Sequence, residues 1–114
     1  MTVVYVALGG AAGAVLRYLC TLAVAWPWAT FAVNVVGSFL MGLAFVWLAS
    51  RPGWQPLAMA GLLGGFTTFS AFSLDALRLI EGGQLGTAML YVGGTVALCL
   101  AAVFAGAVIA RGLA

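Results

Sequence analysis

From Thr2 to Ser50 the sequence carries one charged side chain, Arg17. A small water-soluble domain buries only part of its surface and covers the rest with polar groups. The remainder of the chain is no more polar: 66% of its 114 residues are hydrophobic and 5% are charged. Soluble domains are about 45–50% apolar and about 25% charged. The bilayer therefore has to act as the solvent. A spanning helix needs about 20 mostly apolar residues, so four spans with short connections use the whole length as a single transmembrane domain, residues 1–114. The first apolar run lacks the basic start of a signal peptide, and Arg17 falls where a cleavage site would be needed; it reads as a span.

The spans are expected at about 3–25, 29–49, 56–80 and 85–109, within a few residues. Trp26-Pro27-Trp28 ends the first, because proline breaks the helical ladder and tryptophan favours the interface. Ser50-Arg51-Pro52-Gly53 ends the second and Glu81-Gly82-Gly83 the third. An even number of spans puts both termini on one side, with Arg51 and Arg111 there and Arg78 opposite. Such a small bias fixes orientation weakly, so the chain reads as able to insert both ways up. Gly9, Gly13 and Arg17 recur every fourth residue on span one, and Gly93-Gly94 lie on span four; both are small-residue faces for close helix packing, within a subunit or between subunits. Four thin helices are too few to enclose an ion path alone. Together with the weak charge bias, this points to an obligate dimer.

The chain has no His and no Lys, which removes the usual zinc ligands, Ser-His pairs and Schiff-base lysines; it reads as no enzyme. Four arginines against Asp75 and Glu81 are too sparse for a nucleic-acid surface. Cys20 and Cys99 read as small packing residues. Asp75 reads as solvated or helix-supporting.

Thr30, Asn34 and Ser38 are spaced by four and form one polar stripe on span two. An asparagine in hydrocarbon needs hydrogen-bond partners, from another helix or from a wet cavity. Tyr91 and Thr95 repeat the spacing on span four. Neutral donors suit anion passage, since hydroxyls and amides replace water without trapping the ion. Span three places glycines and hydroxyls at mid-span, from Gly61 to Ser70, which predicts a break or a kink. Carbonyls freed at a break at bilayer depth are potential ligands for a hard monovalent cation. Phe69 and Phe72, three apart, share a helical face with Ser70 and Ser73 nearby. Phenylalanines at this spacing face lipid, fill a core, or turn their positive ring edges to an anion.

The stretch Gly64-Gly65-Phe66-Thr67-Thr68-Phe69-Ser70-Ala71-Phe72-Ser73 resembles the third-helix signature of the Fluc/CrcB-type fluoride channels, close to G-G-x-T-T-F-S-T-F, with Ala71 in place of the common Thr. The run from Gly9 to Tyr18 resembles the family's first-helix G-G-x-x-G-x-x-x-R-Y element, and the run from Asn34 to Phe39 its N-x-x-G-S-F element. The three matches come in order and span nearly the whole chain.

The resemblance implies an all-α membrane protein, with its third helix broken mid-membrane, assembled as an antiparallel, dual-topology dimer in the bacterial inner membrane. It implies two fluoride pores near the subunit interface, with Asn34, Phe69, Phe72, Tyr91, Thr95 and Ser70 along the ion path. The carbonyls of Gly64 and Thr67 from both subunits would hold a structural sodium ion, and Arg17 would stand at the way in. A pair formed with a related chain of opposite orientation is also compatible. The implied function is passive export of cytoplasmic fluoride, conferring resistance. Two rivals stand beside it. An assembly subunit that only binds partner helices explains the glycines but not the Asn, Thr-Thr-Phe-Ser and Tyr/Thr elements. A small multidrug-resistance-type exporter needs a carboxylate in its first helix, and span one has no Asp or Glu.

Overall fold

A computed structural model describes residues 1–113. All regular structure among them is helical: α1 (Thr2–Ala23), α2 (Trp28–Trp47), a third span beginning at Pro52, and α5 (Leu85–Leu113). The third span consists of a short 3-10 turn (Pro52–Trp54), a π-helical stretch (Pro56–Leu63), α3 (Gly64–Phe66) and α4 (Phe69–Glu81). The four spans hold 22, 20, 30 and 29 residues, each long and apolar enough to cross a bilayer. The longest dimension of 48 Å exceeds the hydrocarbon thickness of about 30 Å. The last helix, α5, runs to Leu113.

The break expected in span three is present. Thr67 (φ −89°, ψ 157°) and Thr68 (φ −154°, ψ 123°) are extended, so two half-helices meet there end to end. Glycine makes the surrounding packing possible. A Cβ on Gly13 would meet the Leu62 carbonyl and lie 2.7 Å from the Phe66 nitrogen. That pair seats α1 on the leading half of span three. On the other side α2 lies along α5, and α4 packs against α5. Gly93 and Gly94 behave differently from the sequence expectation for within-subunit packing: a Cβ on either would meet nothing within 4 Å. The close contact of α5 is instead at Gly106, against Gly42 of α2.

Candidate ion path

The site is built around the two extended threonines. Asn34, on the buried face of α2, holds Thr68 from both sides: its Nδ2 donates to the Thr68 carbonyl at 2.9 Å, and its Oδ1 accepts from the Thr68 N–H at 2.7 Å. Gly37, one turn further on, lets α2 come this close, because a Cβ there would strike the Thr67 side chain. Thr68 then caps α4, its hydroxyl accepting from the Ala71 N–H at 3.2 Å. Thr67 turns back, and both its N–H and its hydroxyl donate to the Leu63 carbonyl, at 3.0 and 2.9 Å.

These bonds release two carbonyls. In a continuous helix the Thr68 N–H would close on the Gly64 carbonyl and the Ala71 N–H on the Thr67 carbonyl. Here the first goes to Asn34 and the second to the Thr68 hydroxyl. Arg17 donates from Nε to the Gly65 carbonyl at 3.1 Å. It is thus tied to the end of the leading half-helix, where a cation favours the negative end of the helix dipole.

Beside the break lies an open groove of about 260 Å³ between α2, α4 and α5, lined among others by Asn34, Thr68, Phe69, Phe72, Thr95 and Cys99. Four of the expected path residues, Asn34, Phe69, Phe72 and Thr95, therefore come together. Phe69 stands at the rim, 76% exposed, and Phe72 is buried, their centroids 5.5 Å apart. Thr95 is 4% exposed, and its Oγ1 has no hydrogen-bond partner among the described residues. A hydroxyl left unpaired in an apolar interior is costly. Thr95 is one of the residues that line the groove.

Tyr91 and Ser70 are outside the lining of this groove. Ser70 is exposed beside the break, its Oγ 3.3 Å from the Thr68 hydroxyl. Tyr91 is buried behind Phe72, ring centroids 5.4 Å apart, and its hydroxyl donates to Asp75 Oδ2 at 3.0 Å. Asp75 corrects the solvated reading of the sequence: it is 5% exposed, and its other oxygen accepts from Trp26 Nε1 at 2.8 Å. Its carboxylate joins the α1–α2 turn, α4 and α5, and so fixes the Phe72–Tyr91 stack. Asp75→Leu is expected to leave both donors unpaired. At about 1.5–3 kcal/mol for each bond to a charged group, thermal unfolding of the purified protein in detergent should show a loss of several kcal/mol. Asp75→Asn, which keeps an acceptor, should lose less.

Sequence reasoning missed two features here. Cys99, read as a small packing residue, also lines the groove one turn beyond Thr95. The Trp26–Asp75 bond joins residues 49 apart and leaves no local pattern. For Cys99 the four-residue interval from Tyr91 to Thr95 was the available signal, since it continues to position 99.

Comparison with known proteins places this geometry in context. A family model described as CrcB-like protein, Camphor Resistance (CrcB), matches residues 4–107. A protein of Cereibacter sphaeroides named fluoride-specific ion channel FluC is 54% identical over 114 residues, covering 94% of this chain and 92% of the relative. Proteins of the same name from Phenylobacterium zucineum and Novosphingobium aromaticivorans are 50% and 47% identical, covering 93% and 96% of this chain.

Proposed function

The chain belongs to the CrcB-like family of fluoride-specific ion channels, and from that membership we propose that it is a passive fluoride channel whose lane follows the groove beside the Thr67–Thr68 break. The observation that carries the reading is the buried, unpartnered Thr95 hydroxyl in the same groove as Phe69, Phe72 and the Asn34 amide. Fluoride gives up its water only where other donors replace it. Thr95 supplies one O–H. Asn34 uses one Nδ2 hydrogen on Thr68 and has a second to offer. The ring edges of Phe69 and Phe72 add weak positive potential without a fixed charge, which keeps binding loose enough for exit. Tyr91 acts from behind by holding Phe72, and Ser70 extends the hydroxyl series at the rim. Arg17, fixed through Nε, keeps its other N–H groups for an anion at the way in.

The lane needs a second wall. Phe69 is exposed at the groove rim, and Gly93 and Gly94 of α5 have open space beside them. An antiparallel copy of the chain, or a related chain of opposite orientation, closes the groove, in keeping with the weak charge bias. The Gly64 and Thr67 carbonyls, whose helical donors are diverted, are hard oxygen ligands of the kind a sodium ion takes. Two copies would supply four such oxygens, and the ion would offset part of the cost of bringing an anion into the membrane. The setting is the bacterial inner membrane, where fluoride leaves the cytoplasm down its gradient.

Phe69→Ile keeps the apolar bulk but removes the ring edge. Fluoride efflux from liposomes carrying this variant is expected to fall at least about tenfold, the effect of about 1.4 kcal/mol on a barrier. Unchanged efflux from well-folded variant protein would remove the aromatic edges from the path.

A further inference from the structure

Two free cysteines, Cys20 and Cys99, are both half-buried, but only Cys99 lines the groove. It sits one helical turn from Thr95 on the same face of α5. Thr95, more than nine-tenths buried and with an unpartnered hydroxyl, lines the same groove, so this stretch carries a polar group that a bound guest would satisfy. The same groove is lined by Phe69 and Phe72 and by the hydrogen-bonded Asn34 and Thr68. A thiol in this position differs from a hydroxyl in one respect: it is a strong soft nucleophile once ionised.

We infer that Cys99 is a modification site inside the lane, where a small uncharged thiol-reactive electrophile adds to Sγ and closes the groove. The inference rests on the channel reading of the groove for its functional consequence, and on the groove geometry alone for its chemistry. With benzyl methanethiosulfonate the Cys99 thiolate attacks the divalent sulfur of the reagent. A new S–S bond forms as the S–SO₂ bond breaks, methanesulfinate leaves with the electron pair, and the thiol proton goes to solvent. The product is a mixed disulfide carrying a phenylalanine-sized group in a cavity of about 260 Å³. Cys20, on α1, lies outside the lining of that cavity. A thiol reductant reverses the change.

The test uses purified full-length protein in liposomes, with fluoride efflux and residue-resolved mass spectrometry measured on the same sample. Treatment should label Cys99 and slow efflux at least about tenfold, equivalent to about 1.4 kcal/mol of added barrier, and reductant should restore the rate. Cys20→Ser should keep this sensitivity. Cys99→Ser should lose it, each variant being compared with its own untreated rate. Full labelling of Cys99 with unchanged efflux overturns the inference, and so does failure of Cys99 to react when Cys20 does. If untreated protein passes no fluoride, the channel reading fails on its own. The site is then judged by labelling alone: Cys99 reacting faster than Cys20 upholds it, and slower reaction overturns it.

Discussion

Asn34→Leu is expected to abolish fluoride efflux. Leucine has the same branching and the same number of side-chain heavy atoms as asparagine, so the pocket on α2 stays filled, but both bonds to Thr68 disappear. The Thr68 N–H and carbonyl are then left unpaired beside an apolar cavity, at about 1–3 kcal/mol each. Water cannot rescue them cheaply at bilayer depth. The local remedy is for the Thr68 N–H to swing back to Gly64 and continue the helix. That movement withdraws the released carbonyls, rotates Phe69 and Phe72 out of register, and removes the spare amide N–H from the groove. About 3 kcal/mol of lost positioning corresponds to roughly a hundredfold in rate, so efflux should fall to the level of empty liposomes. Gel filtration of the same preparation separates this from simple misfolding. Wild-type elution with no flux is the expected pair of results, whereas wild-type flux would mean that Asn34 is not the clamp of the path.

The second large effect is expected at Gly42. A Cβ on this residue would fall on the Val103 carbonyl and lie 2.8 Å from the Ala107 nitrogen. Both obstacles are backbone, so no side-chain rotation relieves the clash. Gly106 presents the same problem from the other side, with Leu43 N at 3.1 Å and the Gly42 Cα at 3.2 Å from its Cβ position. Overpacking of a yielding core costs about 1–3 kcal/mol. Here two helix backbones have to separate, and the groove they form with α4 opens with them. Gly42→Leu should therefore give little or no monodisperse protein. Gly94→Leu, with open space at its Cβ within the subunit, should leave the subunit folded. If the proposed dimer uses that face, Gly94→Leu should instead shift the protein towards a smaller size in gel filtration. A stable, fully folded Gly42→Leu protein would contradict the backbone-to-backbone contact of α2 and α5.

The contrast between these two glycines shows where sequence reasoning reached. The four spans were legible because long apolar runs separated by Pro, Gly and Trp obey local rules. The break was legible too, since glycines and hydroxyls cluster between Gly61 and Ser70. Asn34 could be picked out as a polar residue needing a partner, but its partner is a backbone 34 residues away. Nothing around Thr68 announces that its N–H will leave the helix. The solvated reading of Asp75 fails for the same reason. Its donors, Trp26 and Tyr91, are 49 and 16 residues distant, and a carboxylate near a span end ordinarily faces water. Gly93-Gly94 attracted attention as a pair, whereas the contact within the subunit is made by Gly42 and Gly106, single glycines whose meaning exists only once two helices are laid together. Cys99 looked like packing because a thiol on an apolar helix has the same appearance in either role. The resemblance to a family supplied the candidate ion path; the structure supplied the hydrogen bonds around the Thr67–Thr68 break.

The account rests on the groove passing fluoride, and one measurement addresses that directly: efflux of fluoride from liposomes containing the purified wild-type protein, with chloride as the comparison ion. The predicted result is rapid, passive fluoride release that needs no proton gradient, with chloride retained. Equal release of both ions, or retention of fluoride by liposomes containing well-folded protein, would contradict it.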